Sequence, residues 1–556
     1  MKKKTSDGRY RLFSVLLYTV TGVLAGAVFV FSLATVIVFR QNEQNDLFEI
    51  RRENLVLLVL SMAAVLAAIG CALAFRKRKI PKIEKTFRRE RSDLLSADDR
   101  PTFPWRMILV SGLFSLLMVL VIRGNATNDA LQLDEIMQEF SAGNYDSLRT
   151  GGYLFVYPFQ ISYVLIGQVI AGIFGPSNYL IYQLLNVVCI VLNLYFLYLI
   201  TWELFHDDAV CLVMELLSAG CWFYYVFATF VYSDLWSFPV QTAALWFVIC
   251  YLKSYRWRDL AGAAVCIAAA SLLKTNCYIA LIAMIMILLI DAVHPDEEKA
   301  GEDSLKTAHT SERAAVRIFR AMLGSALIVL LTVGSQKAVN AAVAKAAGLE
   351  NFPSGTPAIT YIAMGMQETE GKYGWYNGRN VGLYREADFD QDKTKEAALR
   401  SIRESIAEFQ NSGRYFLKFY AGKFLSQWGD PTCVSMREME ETERHVSEVS
   451  PLAESLIFGT GSHVLQWGMN VMHSVIYLGF CVYLWENLKK KISKAELLMV
   501  IFLFGGMLFH QLWEASGRYT MRYYLGMLPF AAWGIAAFIS KIRASARKVR
   551  ERSRAM

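Results

Sequence analysis

The chain has 556 residues, of which 54% are hydrophobic, and 57 Lys and Arg against 49 Asp and Glu leave a formal charge of +8. That apolar content exceeds what one water-soluble core needs, and a bilayer is its natural solvent. The apolar residues are gathered in runs near the roughly 20 residues that cross a hydrocarbon core, which excludes an ordinary soluble enzyme.

In chain order, the first run, 12–39, follows Met1-Lys2-Lys3-Lys4. It is far longer than the roughly 7–15 apolar residues of a secretory signal and reads as a retained anchor. With 54–75 it makes an N-terminal two-helix membrane extension, 1–104, whose linker is basic from Arg76 to Arg91. A transmembrane core, 105–340, is expected to cross at 105–122, 178–203, 209–230, 239–254, 259–274, 277–293 and 318–340. A long segment, 341–461, precedes spans at 462–486, 496–513 and 520–540 and a basic tail, 541–556. The expected fold is an all-α polytopic membrane protein with about 12 transmembrane helices.

Lys and Arg in short connections prefer the cytoplasmic side. The clusters at Lys2–Arg11, Arg76–Arg91, Lys253–Arg258, Lys489–Lys494 and Lys541–Arg554 therefore belong inside, with both termini. Topology and the anionic inner leaflet of a plasma membrane account for the net charge, so no nucleic-acid partner is implied. Counting the apolar run 157–174 as a crossing would put the Lys489 cluster and the tail outside. It reads instead as an interfacial or re-entrant helix, interrupted at Gly175-Pro176. The outer face then receives 40–53, the loop 123–177, turns near Asp234, Lys274 and Arg518, and the segment 341–461.

Eight of nine cysteines fall in or beside apolar helices, where a thiol is a small hydrophobe, and only Cys433 lies well inside an outer loop. No disulfide framework and no Cys/His metal spacing follows. The cytoplasmic loops are too short for a nucleotide-binding fold, and no Gly-rich nucleotide signature is present. An enzyme of this shape works at the outer surface.

The loop after the first core span carries Asp129, Asp134 and Glu135, then Gly143 and Tyr157-Pro158-Phe159-Gln160. Leu133, Ile136 or Met137, and Phe140 share a helical face suited to lying on the bilayer, leaving Asp129 at the helix start, where a carboxylate can take a proton from an incoming hydroxyl. The alternative is that Asp129 is an N-cap, with Gln132 completing a capping box. Further on stand Tyr232-Ser233-Asp234, Leu272-Leu273-Lys274-Thr275, and Glu514-Ala515-Ser516-Gly517-Arg518-Tyr519 before Leu528-Pro529. Lys274 at a helix end either snorkels or meets phosphate. An arginine on the outer side of a basic-inside protein, as at Arg518, suits bidentate phosphate binding.

These motifs, in this order and on one side, resemble the GT-C superfamily of integral membrane glycosyltransferases. The closer likeness is to family 39, the protein O-mannosyltransferase and aminoarabinose transferase group, in its Gram-positive branch. The resemblance covers roughly 105–540. It implies transfer of a sugar from a polyprenyl-phosphate donor to a cell-envelope acceptor (wall polymer, glycolipid or protein) on the outer face. Asp129 would be the base, or would orient the acceptor with Asp134 or Glu135. Lys274, Arg518 and Tyr519 would bind the donor phosphate, with a divalent metal ion at Asp234 as the one cofactor in question. The family's paired acidic motif is here a single Asp129, with Asp134 and Glu135 displaced, and the two N-terminal helices have no counterpart.

In 341–461, helical periodicity runs over 394–427. The stretch Gly371-Lys372-Tyr373-Gly374-Trp375-Tyr376-Asn377-Gly378 offers aromatic faces and an amide to an acceptor sugar, or anchors at the lipid interface. Tyr157, Gln160, Trp375 and Asn377 are thus acceptor candidates, whereas Asp388-Phe389-Asp390 reads as solvated surface. The rival function is a lipid or polymer transporter, with polar residues at mid-membrane on broken, repeated helices. A scaffold is third.

Overall fold

The computed structural model describes residues 2–41, 47–79, 101–294, 309–443 and 449–555. Much of the basic linker and the connection 295–308 lie outside these.

Among the described residues the protein is helical but for two short antiparallel ribbons. Eight helices are long and apolar enough to cross a membrane, and up to 11 if three bent pairs each count as one span. The expected crossings at 209–230 and 520–540 are two of those pairs, bent by 53° at Gly220-Cys221 and by 54° near Met527. Those at 239–254 and 259–274 form the helices Ser237–Ser254 and Trp257–Leu273, which pack against each other. The third pair turns by 102° between Asp146–Val156 and Pro158–Phe174. Pro158, lacking an N–H, opens the new helical turn there, and Gly175 (φ 89°) ends the following helix.

Two expectations are corrected. The first span stops at Ala34, because Thr35–Phe39, a β-branched run, pairs instead with Phe48–Arg52. This ribbon roofs part of the loop-bearing end. Phe39 and Phe48 pack on Trp375 (ring centroids 6.3 and 5.1 Å), and Gln466 Nε2 donates to Ile37 O at 2.6 Å. The apolar face of the helix Asn128–Ser141 is buried in protein, with Leu133, Ile136, Met137 and Phe140 at most 4% exposed. It packs on Ile161–Phe174, where the bare Gly167 admits Met137.

The described part of the segment 341–461 folds into several helices and the small ribbon Glu368–Thr369 with Lys372–Tyr373. The expected helical stretch 394–427 is two helices, Gln391–Asn411 and Gly413–Trp428, broken at Ser412, whose hydroxyl caps the second at Tyr415 N. Asp390 caps the first, accepting from Asp392 N and Lys393 N, so the Asp388–Asp390 motif serves helix initiation.

Candidate functional site

The first turn of the helix Asn128–Ser141 places Asp129 without making it a cap. The N-cap position is Thr127, and Asn128 takes a left-handed φ of 46°. Asp129 is exposed and its carboxylate lies beside Tyr153, and because the cap position belongs to Thr127 the capping reading fails. Its carboxylate also acts on Tyr232, the ring around which the site is built.

Tyr232 belongs to a loop stitched down by Asn186. That amide donates to the carbonyls of Ala228 (3.2 Å) and Phe230 (2.7 Å) and accepts from Trp236 Nε1 (3.0 Å). Gln160 donates to the Tyr232 hydroxyl. Lys274, at the end of Trp257–Leu273, stands 4.7 Å from the Tyr232 ring centroid and 3.1 Å from Asp234 Oδ2. Burial works against the Asp234 charge, yet Lys274 and Arg518 outweigh it and hold the carboxyl below its ordinary range. Burial draws the Lys274 ammonium down, with Asp234 opposing.

Arg518 begins the helix Gly517–Gly526, its own N–H accepted by the Ser516 cap. The guanidinium lies among the rings of Phe230, Tyr232 and Tyr519 at 5.4, 5.8 and 5.6 Å and contacts Glu438 Oε1 at 3.0 Å. Among the described residues nothing accepts from its buried Nε. Tyr519 supplies a ring face, its hydroxyl being given to Glu514 Oε1 at 3.0 Å.

One turn further stands Arg522, a buried guanidinium that the sequence reading missed. Nη1 donates to Gln241 Oε1 (2.6 Å) and meets Cys277 Sγ (3.2 Å), and Nη2 donates to Ser237 Oγ (3.3 Å). Its spacing of four from Arg518 on one helical face was the available signal. Lys274, Arg518 and Arg522 all act on Asp234. A divalent cation on Asp234 would meet three positive side chains, so these residues do not fit a metal there. No group of three His, Cys, Asp or Glu suited to a metal occurs among the described residues.

The remaining candidates divide. Asp134 is committed to structure, one oxygen accepting from Ser177 Oγ (2.6 Å), Tyr179 OH (3.0 Å) and Gln138 Nε2 (3.3 Å), and Glu135 is exposed. Trp375 is buried beneath the ribbon, its Nε1 bonded to Ser426 Oγ at 3.0 Å, and offers no face to a sugar. Asn377 is held in its own turn by Gln367, Thr369 and the Arg379 N–H. Tyr376 is the exposed ring of that stretch and lies beside Tyr157, whose ring is 5.0 Å from that of Tyr153. Asp129, Asp234, Lys274, Arg518, Tyr519, Tyr157 and Gln160 thus share one polar end; Asp134, Glu135, Trp375 and Asn377 do not contribute to it.

Apolar helices of crossing length, closing at one end on a charged and aromatic cluster, define a multi-pass α-helical integral membrane protein. Over residues 18–540 the chain matches a family described as conserved hypothetical integral membrane protein, and it belongs to that family. The description states membrane character and no activity. Comparison with curated proteins finds no match.

Proposed function

We propose that the protein is a membrane glycosyltransferase that moves a sugar from a polyprenyl-phosphate donor to an extracytoplasmic acceptor. The observation that carries this reading is the meeting, around Tyr232, of an exposed carboxylate, Asp129, with the cations Lys274 and Arg518 brought from distant parts of the chain. The basic clusters orient this end outward.

In the reaction the acceptor hydroxyl attacks the anomeric carbon as Asp129 takes its proton. The bond from that carbon to the phosphate oxygen breaks, its electron pair stays on the phosphate, and configuration inverts. Lys274 and Arg518 stabilise the charge that develops on the leaving polyprenyl phosphate. The rings of Tyr153, Tyr157 and Tyr376 beside Asp129 suit the apolar face of a sugar.

The test is transfer by purified protein in liposomes, using a panel of polyprenyl-phosphate sugars and envelope fractions from a deletion strain. Arg518→Lys is expected to lose at least about tenfold in kcat/KM, since an ammonium cannot reproduce the planar fork among three rings. No transfer with any donor, or unchanged kinetics in Lys274→Ala, Arg518→Ala and Arg518→Lys, would refute the reading.

The three bent helix pairs and buried Arg522 favour a second reading, transport of a lipid or polymer. It predicts uptake or flipping in the same liposomes without a change in the glycan.

A further inference from the structure

The helix Ser435–Glu443 touches both halves of the site with residues three apart on one face. Glu438 Oε1 lies 3.0 Å from Arg518 Nη1, and Glu441 Oε1 accepts from Asn128 Nδ2 at 3.3 Å, next to Asp129. Arg437, one turn back on the same helix, pairs with Glu441 at 3.0 Å.

The seat of this helix is built for close approach. A Cβ on Gly124 would come within 1.6 Å of Thr442 Cγ2, and one on Gly517 within 2.6 Å of Asp430 Oδ2 and 3.0 Å of Val434 Cγ2. The turn that enters the helix is strained, with Cys433 and Val434 at φ 46° and 66°, a region costly for a β-branched side chain. Asp430 holds it there, accepting from Thr432 N (2.9 Å), Thr432 Oγ1 (2.7 Å) and Val434 N (2.7 Å). Strain held by a buried carboxylate, two bare glycines and a charged contact at each end all converge on where this one helix sits.

We propose that Ser435–Glu443 is a brace that sets the placement of Arg518 relative to Asp129, and that Glu438 is the positioning residue of Arg518. It holds the guanidinium by Nη1 and leaves the exposed part of the group, 21% of the side chain, for an anionic ligand. This rests on the reading of Arg518 as the donor-phosphate site.

The test combines two routes to the same perturbation. Glu438→Ala removes the tether. Gly124→Ala pushes the helix through Thr442 without altering charge, and Gly124→Ala/Thr442→Ser removes the clashing methyl while keeping the hydroxyl. Decaprenyl phosphate binding in detergent, thermal melting without ligand, and transfer kinetics are measured on all four proteins. The brace predicts that Glu438→Ala and Gly124→Ala weaken binding and raise donor KM about tenfold, equal to about 1.4 kcal/mol, with kcat changed less and the double variant restored. Because the double variant carries the same alanine, its recovery separates displacement of the helix from general unfolding. Wild-type binding that the single variants leave unchanged would overturn the brace and spare the donor reading. Tighter binding by Glu438→Ala would make Glu438 a competitor of the phosphate and also overturn it. Absence of prenyl-phosphate binding in the wild type would overturn both.

Discussion

Lys274 Nζ lies 3.1 Å from Asp234 Oδ2, with 14% and 5% of the two side chains exposed. Removing one partner of such a pair leaves a buried charge, and Lys274→Ala is expected to cost about 3 kcal/mol. The folded Asp234 carboxyl is held low because Lys274 and Arg518 outweigh its burial. Its stabilising contribution is therefore complete above the unfolded value of about 3.9 and is lost as pH falls through the lower folded value. Thermal melts from pH 7 down to pH 3 should show wild type converging on Asp234→Asn only on the acid side. Parallel profiles would disprove the assignment.

Asp129 is exposed and Thr127, not Asp129, holds the cap position. Asp129→Asn and Asp129→Ala should both melt within about 0.5 kcal/mol of wild type, as surface changes usually do. Both should lose about 100-fold to 10,000-fold in transfer rate, since neither can accept the proton. Near-normal transfer by either would move the base elsewhere, with Asp234 and Glu438 as the next carboxylates to examine.

Lys423, fully buried in the helix Gly413–Trp428, donates to the carbonyls of Gly365 and Trp513, the latter at 2.8 Å. Burial draws its pKa down to about 7, with Glu514 opposing. The unfolded side chain titrates near 10.4, so between these values the unfolded chain binds more protons and stability rises with pH. Wild type should gain melting temperature relative to Lys423→Met as pH goes from about 7 to about 10. A constant difference across that range would show that Lys423 keeps its charge in the fold.

Orientation is testable by cysteine labelling in intact cells, in a Cys71→Ser background. An impermeant reagent should modify cysteines placed at the exposed Asn144 and Glu404, and not at Lys489, which lies in a basic cluster. Labelling of Lys489→Cys from outside would invert the arrangement and place the polar cluster at the cytoplasmic face.

The membrane class and most crossings are legible in the sequence, because a helix that faces lipid must be apolar along its whole length and needs no partner to be recognised. Asp234, Lys274 and Arg518 stand out in the sequence as candidates, since a charge at the edge of an apolar run has few reasons to be there, and the fold brings them together. What only the tertiary structure decided is how distant segments meet. Thr35–Phe39 is as apolar as a helix, and its strand pairing depends on Phe48–Arg52 across a turn. Trp375 is the acceptor candidate of its stretch in sequence, yet the ribbon from the N-terminal extension covers it and leaves its neighbour Tyr376 exposed. Glu438 carries no local signal at all. It matters only because Gly124 and Gly517 are bare enough for its helix to settle between Arg518 and Asn128, and a contact made by close approach leaves no periodic mark in the chain.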